Sequence, residues 1–580
     1  SNMHVKNITT SEINEDWKPI YGEREVIPNR YNQVVVCYEQ KERSKVGFKV
    51  EFRLFDEGIA FQYHLAEYTG VASKIITITD EFTQFHFNKN CFAWKEHGTE
   101  GKYERVPITK MMPLTQRPLT IEDPSGTFMA LTEAGSGSLE GAIDGAAPNM
   151  LISPYDEYSP ILVPDFGGVA GFMFKRPGTV RTTTPYSSSW RLLLVGESPG
   201  ALMEQNYLVL NLNPPCAMDG DTTWIRPGKV IREVTLTTSG GKVCVDFCVE
   251  HGLQYIEFDA GWYGKEGDET SDGTTVQTKR PDKLKDFGDP EDWEGLNLPE
   301  VVRYASSKGI GVWLYVNRRV IERQLGEILP LYKKWGIAGL KFGFVTVGTQ
   351  EENAIVLDAV RRCADFQLMV DIHDEYRPTG FSRTYPNLLT QEGVRGNEHM
   401  PTTSHYCTLP FTRFPAGAAD VTICYYNERI KPTRAQQLAH AVIFYSPLQF
   451  VFWYDKPEHY NGEPEIEFFE KVPTTWDETR VLHGFIGEYA SVARRKGGEW
   501  FVGTITNENA REISICLDFL EPGVEYTGCI YTDHEAIPDA SYTPRTGVAI
   551  NQQVFKKDQT LIVKLVENGG HAMILTMKRL

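Results

Sequence analysis

Between residues 220 and 475, short apolar runs alternate with amphipathic helical segments at a spacing of about 25–40 residues. Residues 298–308, for example, predict a helix with Pro299 in its first turn, and residues 311–316 predict a strand. Such alternation is typical of parallel strand–helix units. About eight units can be placed, and the usual size of a (β/α)₈ barrel, about 250 residues, fits the segment.

The segments on either side of this barrel have a different pattern. Residues 47–55 before it and 512–517 after it alternate apolar and polar side chains, and Gly, Asp and Asn turns separate such runs. We therefore predict a multidomain α/β plus β protein. Its parts are an N-terminal β-sandwich (3–215), a catalytic-type barrel (216–478) and a C-terminal β-sandwich or sheet domain (479–580).

Composition excludes several classes of function. The chain has 59 Lys and Arg against 77 Asp and Glu, a net charge of −18, so general attraction to nucleic acid is not expected. No apolar stretch reaches the roughly eighteen residues needed to span a bilayer. The ten cysteines form no CxxC pair, which leaves a zinc ribbon or a thioredoxin site unsupported.

The active site of a barrel lies at the C-terminal ends of its strands, so the residues that follow each predicted strand are the candidates. They are rich in carboxylates, arginines and aromatic rings. No GxSxG elbow, P-loop, HExxH or dinucleotide fingerprint is present. The polar and aromatic candidates after strands two, five and six are Asp259, Trp262, His373, Asp374, Arg377, Glu392, Arg395, Asn397 and Glu398.

Carboxylates at a barrel mouth suit two chemistries, glycoside hydrolysis and the binding of a hard cation through oxygen ligands. Asp374, Glu392 and Glu398 follow neighbouring predicted strands. Three converging carboxylates repel one another unless they are protonated or bridged by a cation. The alternative interpretation is that they only form salt bridges with nearby arginines such as Arg377 and Arg395.

A series of motifs, in order along nearly the whole chain, resembles glycoside hydrolase family 97, a family of bacterial α-glycosidases. The resemblance implies an N-terminal β-sandwich, a (β/α)₈ barrel and a C-terminal β domain, in agreement with the pattern above. The motifs lie at residues 17–23, 29–32, 224–229, 377–380, 383–387, 392–398, 409–413, 446–449, 487–489 and 493–497.

The resemblance also implies roles for individual residues. Glu398 is at the position of the family's general acid, and Glu392 is at a calcium-ligand position. Asp374 is where inverting members carry a Glu that serves as base and calcium ligand. Glu133 resembles the carboxylate that the first domain contributes to calcium. Calcium is thus the expected cofactor, with Glu392, Glu398, Asp374 and Glu133 as candidate ligands.

The same resemblance implies a sugar-binding role for polar and aromatic residues near these carboxylates. Trp262 is the candidate platform on which a sugar ring stacks, although packing in the core is an equally simple interpretation. The predicted substrate-binding residues are Asp259, Trp262, His373, Arg377, Arg395 and Asn397.

Two positions depart from the family pattern. Retaining members carry a nucleophilic Asp after strand four in a Lys-x-Asp-Phe context, and this chain has Gly343 there. Because glycine cannot form a glycosyl-enzyme, a double displacement through that position is excluded and inversion is predicted. Asp374 is one methylene shorter than the family's Glu, and a shift of about 1 Å can cost on the order of a hundredfold in rate.

We therefore expect a calcium-dependent, inverting glycosidase that releases terminal α-linked glucose or galactose from oligosaccharides. A degenerate, carbohydrate-binding relative is the alternative, and a rearranged mechanism through Asp259 or Asp371 is a third. The expected location is periplasmic or secreted, and the expected state is a monomer or small homo-oligomer. Family members have further strands before the motif at Trp17, so we expect a shortened first sandwich.

Overall fold

The computed structural model describes residues 3–40, 47–65, 75–135, 151–154, 161–165, 168–170, 175–177, 180–279, 293–536 and 546–578, except 80, 82, 99, 112–114 and 348. Within these ranges a β domain precedes a parallel barrel, and a second β domain follows it. The predicted fold class is confirmed.

The first domain is built on a ten-stranded antiparallel sheet. Its middle strands are buried because Leu192, Leu194 and Ala130 pack under the short helices that lead to the barrel. In spatial order the strands are Met3–Trp17, Ile27–Gln40, Phe48–Phe55, Gly58–Leu65, Trp190–Gly196, Phe128–Ala134, Leu119–Glu122, Phe92–Lys95 and Glu104–Pro107, and Tyr186–Ser187 pairs with the fourth. The smaller sheets contain Leu151–Pro154, Ile161–Asp165 and Phe85–His86, then Gly168–Ala170 and Lys175–Pro177, then Val180–Thr183 and Ile75–Ile78.

The barrel has seven regular parallel strands. The place of strand seven is taken by an extended segment at 418–424, which joins strands six and eight by single hydrogen bonds. The Asp420 N–H donates to the Gln391 carbonyl (3.0 Å), and the Trp453 N–H donates to the Ile423 carbonyl (2.9 Å). Strands one to six and strand eight are Gly228–Glu233, Tyr255–Phe258, Gly311–Asn317, Gly339–Gly343, Met369–Ile372, Leu388–Gln391 and Leu448–Phe452.

The helices begin at polar caps. Thr237 accepts a hydrogen bond from the Gly240 N–H (3.0 Å) and caps the helix Thr238–Glu250. Asn317, the last residue of strand three, caps the helix Arg318–Trp335, because its side-chain oxygen accepts a hydrogen bond from the Arg319 N–H (3.1 Å). The α-helices are Pro199–Glu204, Tyr207–Asn211, Thr238–Glu250, Leu298–Ser307, Arg318–Trp335, Gln350–Asp365, Thr403–Thr412, Arg434–Ile443 and Glu467–Lys471. Short 3₁₀ turns cover Ile108–Lys110, Phe381–Arg383, Asn397–His399, Phe414–Ala416, Pro457–His459 and Pro464–Ile466.

The last domain is a six-stranded antiparallel sheet with a two-stranded sheet beside it. A buried ion pair between Arg494 and Glu23 (2.8 Å) ties it to the first domain. Among the described helices, none is long and apolar enough to cross a membrane. In spatial order the strands are Glu478–Phe485, Tyr489–Lys496, Glu499–Thr506, Gly570–Met577, Tyr526–Ala536 and Thr546–Phe555, with Arg511–Cys516 and Thr560–Leu565 in the small sheet.

Candidate active site

The C-terminal face of the barrel contains most of the strained backbone among the described residues. Five of the eight non-glycine residues with positive φ follow barrel strands. Such a conformation costs of order 1–3 kcal/mol and persists only where the surroundings impose it, which is typical of functional sites. The five residues are Leu236, Phe344, Asp374, Met400 and Thr422.

On one side of this face, the charges are neutralised. Asp259, after strand two, forms ion pairs with Arg232 (2.9 Å) and Lys341 (3.3 Å), and all three side chains are buried. The Lys341 ammonium also lies 3.9 Å from the centre of the Trp453 ring. Burial opposes the charge of Lys341, but Asp259 outweighs this effect and raises the pKa of the lysine. These residues form the paired cluster.

On the other side, His373 joins the ends of strands five, six and seven. Its Nε2 lies 2.8 Å from Asp420 and 3.3 Å from Asp371, and its Nδ1 lies 3.0 Å from Glu392. Burial alone would lower the pKa of His373, but Glu392 and Asp371 raise it well above its usual range. Both ring nitrogens thus face carboxylates, an arrangement that favours the protonated imidazole.

Beyond His373 lie the four carboxylates of the acidic cluster, Glu100, Asp374, Glu392 and Glu398. Burial, followed by the charges of Glu392 and other cluster members, raises the pKa of Glu100 to about 9 and that of Asp374 to about 8. Burial and Glu392 also raise the pKa of Glu398. Burial acts against the charge of Glu392, but His373 and the Asp374 N–H (2.9 Å) hold its pKa below the usual value.

The acidic cluster fits a hard divalent cation. Its donors are carboxylate oxygens, which calcium prefers. The Glu392 Oε1 atom is buried without a hydrogen-bond partner, although such atoms are rarely left unsatisfied. The ligand atoms of His373, Glu392 and Glu398 lie within 4.8 Å of one another. A cation among the carboxylates would offset the repulsion that raises the pKa values of Glu100 and Asp374.

The structure places Glu133 outside this cluster. Glu133 is 1% exposed in the first domain and lies between Arg191 and Arg117, with its Oε2 3.4 Å from Arg117 Nε. Its charge is therefore already compensated, and the predicted ligand role does not fit this position. The first-domain carboxylate in the cluster is Glu100, which contacts His399 (2.5 Å). Sequence reasoning missed Glu100 because it lies in a loop without a motif.

Two predicted sugar contacts are buried elsewhere. Trp262 is 1% exposed, and its Nε1 donates to the Tyr315 carbonyl (2.8 Å), so no sugar can stack on it. Arg377 is also 1% exposed; it pairs with Glu96 (2.5 Å) and donates to the Arg117 carbonyl (2.6 Å). Neither position fits the predicted sugar contact: Trp262 packs in the barrel, and Arg377 docks the first domain onto it.

Arg395 and Asn397 flank Glu398, as their spacing predicted. Arg395 donates to the Glu100 carbonyl (3.2 Å), which links the acidic cluster to the first domain. Asn397 accepts from the Tyr406 hydroxyl (2.5 Å), and its Nδ2 is buried without a partner. Glu398 itself is partly exposed, and its N–H donates to Thr422 Oγ1 (3.3 Å).

At the end of strand four, Gly343 has no space for a side chain. A Cβ atom built there would lie 1.9 Å from a ring carbon of Tyr315. Asp259 and Lys341 are near this strand end, but they are paired with each other. Strand four itself, Gly339–Gly343, contains no carboxylate.

A parallel barrel with acidic side chains at its C-terminal face, held between two β domains, defines a class of carbohydrate-active hydrolases. Three family models match in order: "Glycosyl-hydrolase 97 N-terminal" at residues 1–215, "Glycoside hydrolase 97" at 227–394 and "Glycosyl-hydrolase 97 C-terminal, oligomerisation" at 475–576. The chain belongs to glycoside hydrolase family 97 and is a glycosidase.

Relatives and solved structures agree with this assignment. A retaining alpha-galactosidase from Bacteroides thetaiotaomicron is 28% identical, covering 96% of this chain and 86% of the relative. A probable retaining alpha-galactosidase from Streptomyces bingchenggensis is 26% identical, covering 95% and 83%. A family 97 enzyme from Pseudoalteromonas in complex with acarbose shares the fold with a TM-score of 0.84 at 24% identity, covering 100% of this chain and 92% of that one.

Proposed function

We propose that this glycosidase removes terminal α-linked galactose or glucose from oligosaccharides, with Glu398 as the general acid. The observation that carries the proposal is the acidic cluster, in which four carboxylates converge at the ends of strands five and six. A general acid must hold its proton until the leaving oxygen takes it, and burial together with the charge of Glu392 shifts the pKa of Glu398 upward, in the direction that favours this role. Its partial exposure allows contact with the leaving oxygen.

We propose further that hydrolysis inverts the anomeric centre. The two curated relatives are named retaining enzymes. This chain differs because Gly343 offers no nucleophile and the Tyr315 ring fills the space beside it. Water then attacks the anomeric carbon and gives its proton to Asp374, while Glu398 protonates the leaving oxygen. Single displacement of this kind gives a β-configured sugar from an α-glycoside.

Calcium is the proposed cofactor, held by the carboxylates of Glu100, Asp374 and Glu392, with Glu398 beside them as the proton donor. When bound, it supplies positive charge to a buried set of carboxylates. Asp374 has a pKa of about 8 in the cluster without a cation, and a base must be ionised to accept a proton. His373 keeps Glu392 ionised and oriented, since its Nδ1 lies 3.0 Å from that carboxylate. Asp374 receives a further backbone hydrogen bond from Phe344.

The remaining expectations concern the setting of the enzyme. We propose a periplasmic or secreted location. The C-terminal domain matches a model described as serving oligomerisation, so we propose a small homo-oligomer. Sedimentation measures the second point directly.

The first test is hydrolysis of disaccharides with a terminal α-galactosyl or α-glucosyl unit by the wild type and Glu398→Gln, with calcium or a chelator. Loss of the general acid should lower kcat/KM by a factor of about 10²–10⁴ on sugar leaving groups. Hydrolysis of an α-glycosyl fluoride should fall much less, because fluoride leaves without a proton. Glu521→Gln is the matched control on an exposed loop. Full activity of Glu398→Gln, or sugar binding without hydrolysis by the wild type, would contradict the proposal.

A further inference from the structure

Tyr315 occupies the space that a side chain at the end of strand four would need. It lies on strand three, where it pairs in register with Lys341, and its ring leans toward Gly343. A Cβ atom on Gly343 would lie 1.9 Å from Tyr315 Cε2 and 2.4 Å from both Cζ and the hydroxyl oxygen. Any side chain at position 343 therefore requires the ring to move.

The ring is held in place from several directions. Tyr315 is 4% exposed, and its hydroxyl accepts a hydrogen bond from Asn317 Nδ2 (3.1 Å). Its carbonyl accepts from Trp262 Nε1 (2.8 Å), and the Asn317 N–H donates to the Tyr263 hydroxyl (2.8 Å). Because the interior is closely packed, the ring cannot swing aside without disturbing strand three.

Two similar pairs lie lower in the barrel. The Trp313 ring lies 2.6 Å from a Cβ built on Gly339, and the Tyr255 ring lies 2.6 Å from one built on Gly311. Alternation of large and small residues fills the interior of such barrels. The uppermost pair differs because it stands where strand four ends. There burial, followed by the charges of Glu266, Tyr263 and Asp374, raises the pKa of Tyr315, so the ring lies within electrostatic reach of Asp374.

We propose that the Tyr315 ring closes position 343 to a nucleophilic side chain, so that displacement in this glycosidase is left to water even where the glycine is replaced. The proposal rests on the inverting hydrolysis proposed above. It is a steric role, so the ring carries it and the hydroxyl does not. Tyr315→Ala should therefore admit a side chain at position 343, whereas Tyr315→Phe should not.

The predicted gain is a double displacement. In Tyr315→Ala/Gly343→Asp, an oxygen of the introduced carboxylate forms a bond to the anomeric carbon as the bond to the leaving oxygen breaks. Glu398 gives its proton to that oxygen. Water then attacks the same carbon, passes a proton back to Glu398 and releases the carboxylate, so the sugar keeps its α configuration.

The experiment compares Gly343→Asp, Tyr315→Phe/Gly343→Asp and Tyr315→Ala/Gly343→Asp. Each is incubated with a fluorinated α-glycosyl fluoride, and its intact mass is measured. The first-formed sugar is identified by proton NMR. Only the variant with Tyr315→Ala should gain the mass of one glycosyl unit and release the α-anomer. An adduct on either variant that keeps the ring, or no adduct on a folded Tyr315→Ala/Gly343→Asp, would overturn the proposal.

A thermal measurement tests the steric claim without any activity. Gly343→Ala should lower Tm by several degrees. The decrease in Tm of Tyr315→Ala/Gly343→Ala should be smaller than the sum of the decreases caused by Gly343→Ala and Tyr315→Ala alone. Purely additive shifts would overturn the proposal even if none of the carboxylate variants folds. If the wild type hydrolyses no glycoside while the shifts are coupled, the proposed function fails and the steric relation between Tyr315 and Gly343 stands.

Discussion

The two sides of the barrel mouth handle buried charge in opposite ways. In the paired cluster, Asp259 meets Arg232 and Lys341, and each ionised group has a partner. In the acidic cluster, four carboxylates converge, and Glu392 pairs with the buried His373. The charges of the paired cluster compensate one another, whereas the carboxylates of the acidic cluster repel one another unless protons or a cation bind to them. This difference indicates that one side supports the site and the other performs the chemistry.

The largest expected effect tests the supporting side. Lys341→Met removes a buried cation and leaves Asp259 with Arg232 alone. Removal of one member of a buried ion pair typically costs about 3–5 kcal/mol. Urea denaturation should show a loss of this size, and Lys334→Met, on an exposed helical position, should change little. A loss of less than about 1 kcal/mol would mean that the paired cluster contributes little to stability.

A smaller effect is expected when a cation binds the other side. Calcium at about a hundred times its Kd should stabilise the protein by roughly 2.7 kcal/mol, measured as a rise in Tm. Glu100→Gln should lose most of that rise. Glu133→Gln should keep it, because Glu133 already lies between two arginines. If Glu133→Gln alone abolished the rise, the cation site would lie where the sequence placed it.

The last effect concerns the pH dependence of stability. Glu100 and Asp374 have raised pKa values of about 9 and 8 in the cation-free protein, against about 4 in an unfolded chain. The folded state then binds more protons, so stability should fall as pH rises from about 4 to 9, by up to about 1.4 kcal/mol per pH unit for each group. Glu100→Gln or added calcium should flatten this slope. An unchanged slope would show that the carboxylates do not interact.

The fold could be predicted because its signals are local. The alternation of strands and helices can be recognised within short stretches of sequence, and so can the separate β pattern at both ends. The exception is strand seven, whose segment at 418–424 joins its neighbours by single hydrogen bonds and has no regular ladder.

The site could be predicted only in part. Asp374 and Glu392 follow strands five and six closely, Glu398 lies in the turn Asn397–His399 after strand six, and the structure brings them together. Glu100 comes from another domain, and its place depends on how that domain docks through contacts such as Arg377 with Glu96. Whether an aromatic ring after a strand faces a sugar or the core is also a tertiary property. The burial of Trp262 was thus not readable from its motif, although core packing was the stated alternative.

The central claim is that the acidic cluster hydrolyses α-glycosides by direct attack of water, without a nucleophile on strand four. Proton NMR of the first sugar released from p-nitrophenyl α-galactoside or α-glucoside tests it most directly, because the anomers are distinguished before mutarotation. We expect the β-anomer to appear first and the signal of the α-anomer to increase later through mutarotation. Initial release of the α-anomer would contradict it and would require a nucleophile elsewhere in the barrel.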